Sequence, residues 1–125
     1  MSSAKQELGI EGERIAEAWL VQKGWRVIDR RFRSGHRDTD LVMERHLDEE
    51  RVIAFVEVKS RATADFGGPL GAVHWRKQRE MARAARDWIS RAKRSGDSYR
   101  FDVVGIVYGP GDPTVVHVEN AFQVR

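Results

Sequence analysis

The sequence predicts an α/β fold, with a mixed central β-sheet flanked by helices in the order α-β-β-β-α-β-β. Two segments, 4–23 and 73–93, carry apolar residues at helical spacing. Five shorter segments, rich in Val, Ile and aromatic residues and bounded by turn residues, have the composition of strands. The chain has 125 residues, enough for one hydrophobic core. We therefore expect residues 1–125 to form a single domain.

The first helix is predicted over residues 4–23, because Ile15 and Trp19 belong to an apolar stripe with helical spacing. Gly24 is suited to end it. On a helical wheel with about 100° per residue, Glu13 falls on the border of the buried stripe.

Three strands are then predicted over residues 25–32, 39–45 and 51–60. The polar stretch 46–50 indicates a hairpin between the second strand and the third. The third strand has apolar residues on both faces, which is typical of a central strand that is covered on both sides.

The second half of the chain begins with a loop at residues 66–71, which is rich in glycine. The helix predicted over 73–93 has an apolar stripe on one face and arginines on the opposite face. Residues 100–108 and 115–118 are predicted to form the last two strands.

The formal net charge is only +3, but the charges are unevenly distributed. Segments 23–37 and 74–94 are basic, and segment 38–50 is acidic. Such an arrangement suits a polyanion whose backbone is cut at a metal ion. A solvated, arginine-rich surface is the alternative for either basic segment taken alone. The arginines expected to contact nucleic-acid phosphates are Arg30, Arg31, Arg33, Arg76, Arg79, Arg83 and Arg86.

The chain contains no cysteine, which excludes disulfides and a cysteine-based zinc site. Its first residues form no apolar signal segment, and no apolar run approaches the length of about 18 residues that a membrane span needs. We therefore expect a cytoplasmic protein without a membrane partner.

The third predicted strand ends with Glu57-Val58-Lys59. Side chains at positions i and i+2 of a strand share a face, so Glu57 and Lys59 are expected side by side. Asp40 opens the preceding strand. Burying charge is costly unless the charge is paired or holds a metal, so these three residues are candidates for a cluster that binds Mg²⁺ (or Mn²⁺) and acts on phosphodiesters. The alternative is a simple salt bridge between Glu57 and Lys59.

Several short motifs extend from about Gly9 to Tyr108: Gly12-Glu13-Arg14-Ile15-Ala16, Asp40-Leu41-Val42, Phe55-Val56-Glu57-Val58-Lys59-Ser60-Arg61, Gly68-Pro69-Leu70-Gly71-Ala72-Val73, Lys77 and Arg100-Phe101-Asp102-Val103-Val104. Together these motifs resemble the YraN-like bacterial family of the PD-(D/E)xK restriction-endonuclease-like superfamily, which is related to archaeal Holliday-junction resolvases. One departure is that the family usually has Gly-Glu-Ile-Asp-Leu where this chain has Arg37-Asp38-Thr39-Asp40-Leu41.

The resemblance implies a restriction-endonuclease-like core with Asp40, Glu57 and Lys59 as catalytic residues and Glu13 reaching in from the first helix. Mg²⁺ prefers oxygen ligands, so Asp40, Glu57 and Glu13 are expected to bind it, together with the carbonyl oxygen of Val58. Lys77 is expected to assist Lys59 in stabilising the charge on phosphate. The alternatives are an ordinary ion pair of Glu13 with a nearby arginine and a boundary position for Lys77.

Three functional hypotheses follow. The first is a Mg²⁺-dependent DNA endonuclease that selects branched or junction DNA; cutting two strands symmetrically would need two active sites, which predicts a homodimer. The second is a nucleic-acid-binding module that has the fold but little or no catalysis. The third is an adaptor whose basic helix meets an acidic protein partner.

Overall fold

Two helices and five strands follow one another in the predicted order in the computed structural model, which describes residues 4–35, 37–61 and 73–123. The loop predicted at 66–71 lies outside the described residues. Most predicted boundaries are within two or three residues of those observed, but the last strand extends four residues further than predicted. The elements are α1 (Ala4–Gln22), β1 (Arg26–Ser34), β2 (Arg37–Leu47), β3 (Glu50–Arg61), α2 (Trp75–Ala92), β4 (Ser98–Val107) and β5 (Thr114–Phe122).

The five strands form one sheet in the order β1-β2-β3-β4-β5. Strands β3 and β4 are parallel, and the other three neighbouring pairs are antiparallel. A parallel pair needs a crossover connection, and α2 lies in the connection between β3 and β4. The expected α/β fold with a mixed central sheet is therefore confirmed.

Helix α1 packs on one face of the sheet. Its Ala16 and Leu20 are fully buried in a cluster with Val52, Ala54 and Val56 of β3. Helix α2 covers the other face, where its Trp88 and Ala85 pack with Ile53 and Phe55, again from β3. The prediction that β3 is a central strand covered on both sides is confirmed, because successive β3 residues enter opposite clusters.

Helix α2 begins at the side chain of His74, whose Nδ1 accepts a hydrogen bond of 3.2 Å from the backbone N–H of Arg76. This contact satisfies one of the N–H groups that have no partner within the helix. The N-cap fixes the first turn of α2, which carries Lys77 toward the end of β3. Neither α1 nor α2, as described, is long and apolar enough to cross a membrane.

Candidate active site

The register of β2 and β3 places Asp40 opposite Glu57. Leu41 pairs with Val56 in this antiparallel ladder, so the next pair outward joins residues 40 and 57. Asp40 Oδ2 accepts a hydrogen bond of 2.7 Å from the backbone N–H of Val58. Two carboxylates from neighbouring strands therefore lie at one margin of the sheet, beside the buried apolar part of β3.

The pKa values of both carboxyl groups are raised. Burial is the largest cause of the rise in the pKa of Asp40 to about 8, followed by the negative charge of Glu57. The Val58 N–H and Lys77 act in the opposite direction on the Asp40 pKa. Burial also raises the pKa of Glu57, against the effect of Lys77. Charging both carboxyl groups in this site is therefore costly, and a bound cation would remove that cost.

Lys77 contacts this pair from α2. Its Nζ lies 3.1 Å from Asp38 Oδ1 and 3.5 Å from Glu57 Oε2. The second distance marks an ion pair but is too long for a good hydrogen bond. Burial lowers the pKa of Lys77, yet the surrounding acids raise it more, so the ammonium group stays charged.

Lys59 lies on the same face as Glu57, two residues along β3. Burial is the largest cause of the lowered pKa of Lys59, and the charge of Arg61 lowers it further, whereas Glu57 raises it. Lys59 and Lys77 therefore flank Glu57 from β3 and from α2.

Glu13, the metal ligand predicted on α1, forms an ion pair. Its carboxylate pairs with Arg31 at 3.0 Å, which is the alternative that the sequence left open. Glu13 and Asp40 both line an open cleft of about 520 Å³ between α1 and strands β1 and β2. The charge of Glu13 contributes to the raised pKa of Asp40, so the two acids act on each other without forming one ligand set.

The predicted set of Glu13, Asp40, Glu57 and the Val58 carbonyl is not assembled as such. In residues 4–35, 37–61 and 73–123, no three His, Cys, Asp or Glu side chains lie close enough together to hold one metal ion. The physical reason is that Glu13 belongs to α1, on the face opposite α2, and is held by Arg31. The observed contact of Val58 with the site is made by its N–H group.

The remaining carboxylate pair still fits Mg²⁺. Glu57 Oε2 is buried and has no hydrogen-bond partner within the described part of the chain. A buried carboxylate oxygen without a donor is unusual, because such atoms are nearly always satisfied. Mg²⁺ is commonly held by one or two carboxylates and keeps several waters, so Asp40 and Glu57 suffice as its protein ligands.

Asp38 is a contributor that the sequence did not identify. It lies two residues before Asp40 on β2, and its carboxylate contacts Lys77. The spacing of Asp38 and Asp40 could have identified it, because side chains at positions i and i+2 of a strand lie on the same face. Asp102 of β4 is fully buried and pairs with Arg100 at 2.9 Å.

The predicted phosphate-binding arginines fall into two groups. All seven are exposed, and two of them, Arg30 and Arg31, pair with Glu17 and Glu13 of α1. The other five are Arg33, Arg76, Arg79, Arg83 and Arg86.

An exposed tryptophan accompanies the basic face of α2. Trp75 is 54% exposed, and the guanidinium groups of Arg76 and Arg79 lie 5.4 and 5.7 Å from its ring centre. A shallow pocket of about 270 Å³ lies among Trp75 and the neighbouring residues of this face. Aromatic and guanidinium groups together suit unpaired nucleic-acid bases.

Fold and site define a small α/β protein with a buried carboxylate pair between two lysines. Residues 12–106 match the model of a family described as "Uncharacterised protein family UPF0102", and the chain belongs to this family. It is 40% identical over 119 residues to a UPF0102 protein of Anaeromyxobacter dehalogenans, covering 95% of this chain and 86% of that protein. A UPF0102 protein of Bifidobacterium longum is also 40% identical, over 94% of both chains.

Among solved structures, Pyrococcus furiosus SfsA in complex with Ca²⁺ is similar, with a TM-score of 0.34 and 12% sequence identity. The similarity covers 96% of this chain and 65% of that chain, so this chain spans just under two thirds of the length of that protein.

Proposed function

We propose that this protein is a metal-dependent nuclease of the PD-(D/E)xK type that hydrolyses DNA phosphodiester bonds. The observation that carries the proposal is the pair Asp40 and Glu57, with a buried Glu57 oxygen that lacks a hydrogen-bond donor. Strongly perturbed pKa values often mark functional sites. A cation-binding site accounts for two buried acids with raised pKa values beside two lysines.

Asp40 and Glu57 would hold the Mg²⁺ ion. When bound, this ion would polarise a phosphoryl oxygen and lower the pKa of a water molecule. The Val58 N–H fixes the orientation of Asp40, which leaves its other carboxylate oxygen for the ion. The protein groups that remain near the scissile phosphate are then the two lysines.

Lys77 is held in its charged form by Asp38 and Glu57, so it is suited to stabilise negative charge on the phosphate in the transition state. Lys59 has a lowered pKa, caused first by burial. A lysine of this kind accepts or donates a proton more readily than an exposed one. We assign charge stabilisation to Lys77 and orientation of the attacking water to Lys59.

The exposed arginines of α2 would position the DNA backbone without reading its sequence. Trp75 lies at the beginning of the same helix and is two residues from Lys77. An exposed ring at this position would stack on a base that is unpaired at a branch or end. This placement favours branched or junction DNA over an uninterrupted duplex.

A second candidate function is a nucleic-acid-binding module with little or no catalysis. One observation favours it: only two carboxylates, and not three, are available as ligands at this margin in the described part of the chain. Under this alternative the exposed arginines still bind phosphates, and the two acids serve only to hold Lys77.

Cleavage of branched, nicked and duplex DNA, with Mg²⁺ or Mn²⁺, separates the two candidates. We expect cleavage that stops with EDTA and falls at least 100-fold in Glu57→Gln and in Asp40→Asn. The matched control is Glu49→Gln, because Glu49 is an exposed acid in the β2–β3 hairpin, far along the strands from the site. Salt-dependent DNA binding without cleavage, and no heat of Mg²⁺ or Mn²⁺ binding in calorimetry, would establish the binding module instead.

A further inference from the structure

A second polar pocket lies at the other end of α1, away from the carboxylate pair. It has a volume of about 280 Å³ and is lined by Trp19, Lys23, Trp25, Arg45, His117 and Glu119. None of these residues lines the cleft that contains Asp40 and Glu13. From Glu13 to Lys23 the helix rises about 15 Å, at about 1.5 Å per residue. The pocket is therefore a separate feature on the α1 face of the sheet.

This pocket carries positive charge that the described residues do not neutralise. Arg45 Nε is buried without a hydrogen-bond partner, and its guanidinium lies 4.8 Å from the ring centre of Trp25. Neither Arg45 nor Lys23 pairs with a carboxylate of the described chain. The acid of the lining, Glu119, is paired with Arg100 at 3.0 Å. Two cations in the lining without a carboxylate partner in the described chain favour an anionic ligand, which Arg45 would contact through the guanidinium nitrogens other than the occluded Nε.

The wall of the pocket is held in place by buried groups. Asp102 is fully buried, and its Oδ2 lies 2.6 Å from His117 Nε2, while its Oδ1 accepts a hydrogen bond of 3.0 Å from the backbone N–H of Asn120. His117 in turn meets the ring of Trp19 edge to face, with ring centres 5.4 Å apart. These contacts fix the orientation of Trp19, and Lys23 Nζ lies 5.1 Å from its ring centre, so a base that stacks on this ring would meet Lys23 as well.

We propose that this pocket binds a nucleoside phosphate. Arg45 and Lys23 contact the phosphate, and the base lies against the ring of Trp19. A volume of about 280 Å³ is near the lower end for small-ligand pockets, so the site takes one nucleotide unit. The ligand is either a free mononucleotide or the phosphorylated end of a nucleic-acid strand. The proposal does not depend on cleavage at Asp40 and Glu57, because it uses different residues.

The test is calorimetric titration of the full chain in EDTA, which excludes metal-dependent binding at the carboxylate pair. The probes are a deoxynucleoside monophosphate, the matching deoxynucleoside and inorganic phosphate. We expect the monophosphate to bind at least tenfold more tightly than the deoxynucleoside or inorganic phosphate. Arg45→Gln should weaken its binding about tenfold or more, since one charge-assisted hydrogen bond is lost, and Trp19→Leu should weaken it through lost stacking.

The matched control is Arg94→Gln, which removes an exposed charge just after α2, on the other side of the sheet. It should leave the affinity unchanged. Equal effects of Arg45→Gln and Arg94→Gln, or inorganic phosphate binding as tightly as the monophosphate, would overturn the proposal. So would failure of the monophosphate to bind to folded protein, with the fold checked by circular dichroism.

A further pair of probes identifies the source of the nucleotide. A single-stranded oligonucleotide with a 5′ phosphate is compared with the same oligonucleotide lacking it, in wild type and in Arg45→Gln. Tighter binding of the phosphorylated strand than of the mononucleotide, lost in Arg45→Gln, assigns the pocket to strand ends. Tighter binding of the mononucleotide than of either strand assigns it to free nucleotides.

Discussion

The backbone N–H of Val58 donates a hydrogen bond of 2.7 Å to Oδ2 of Asp40. Because Val58 directly follows Glu57, this bond anchors the Asp40 carboxylate to the main chain of β3 next to Glu57. A hydrogen bond to a carboxylate favours its charged form, yet burial and the charge of Glu57 outweigh it and raise the pKa of Asp40 to about 8. Asp40 is thus largely protonated at neutral pH until a cation arrives.

The first prediction concerns the stability of metal-free protein against pH. The folded-state pKa of Asp40 lies above its unfolded value of 3.8. Between these two values the folded state keeps a proton that the unfolded state releases, so the free energy of unfolding falls as pH rises through this window. In EDTA, urea unfolding should show Asp40→Asn gaining stability relative to wild type as pH rises from about 4 to about 8.

Mg²⁺ should reverse this difference, because a cation that binds only the folded state stabilises it. The stabilisation of wild type by Mg²⁺ should be larger at pH 8 than at pH 5, since the ion competes with the proton on Asp40. The Asp40→Asn variant should show little stabilisation by Mg²⁺ at either pH. Parallel curves of unfolding free energy against pH for the two proteins would refute the assigned titration of Asp40.

The second prediction concerns Lys77, whose Nζ contacts Asp38 and Glu57. Lys77→Gln should reduce the single-turnover cleavage rate about 100-fold, the magnitude typical of removing one donor to a developing negative charge. Asp38→Asn should reduce the rate less, because it only loosens the position of Lys77. Lys93→Gln, which removes a charge at the other end of α2, is the control and should cleave at the wild-type rate. A normal rate in Lys77→Gln would remove Lys77 from the mechanism.

The pairing of Asp40 with Glu57 could be predicted from the sequence because it depends on local geometry. A hairpin whose turn lies at residues 48–49 places position 40 opposite position 57. The position of Glu13 could not be predicted in this way. It depends on how α1 lies across β1, and on Arg31, whose positive φ of 50° is rare for a residue other than glycine.

Arg31 also changes which side its neighbours face. Arg30 reaches Glu17 of α1, while Phe32, two residues later, packs in the cluster of α2. A regular strand would place both on the same side. Strict alternation therefore fails at this point, and Arg30 and Arg31, which were predicted to contact phosphates, form exposed ion pairs with acids of α1.

The third prediction concerns a buried ion network that the sequence does not reveal, because its members are far apart along the chain. Arg51 pairs with Glu44 at 3.2 Å and with Asp97 at 2.6 Å, and the three side chains are 8%, 4% and 2% exposed. Arg51→Met should destabilise the protein by about 3 kcal/mol, because the Asp97 carboxylate stays buried without its arginine, whereas Glu44 keeps its contact with Arg26. Urea unfolding measures the loss.

The matched control is Arg91→Met, because Arg91 forms an exposed pair with Asp87 on α2. Its loss should cost less than about 1 kcal/mol. The triple variant Arg51→Met, Glu44→Gln, Asp97→Asn should recover part of the stability, since no buried charge is left unpaired. A loss in Arg51→Met no larger than that in Arg91→Met would contradict the network.

Helix α1 lies close to β3 at Gly12. A Cβ atom at this position would lie 2.0 Å from Ser60 Oγ and 3.3 Å from Ser60 Cβ, on β3. Gly9, one turn earlier in the same helix, has nothing within 4 Å of the corresponding point. The two glycines lie in the same helix but differ in the free space around them. Substituting each one therefore distinguishes the effect of packing from that of helix propensity.

The fourth prediction uses this pair. Gly9→Ala should stabilise the protein by up to about 1 kcal/mol, since Ala is the better helix former. Gly12→Ala gains the same propensity but must displace the Ser60 hydroxyl, and overpacking of this kind costs about 1–3 kcal/mol. We therefore expect a net loss in thermal or urea unfolding. Because Oγ makes the closer contact, Gly12→Ala should become neutral or stabilising in a Ser60→Ala background. A loss that Ser60→Ala does not relieve would show that α1 meets β3 elsewhere.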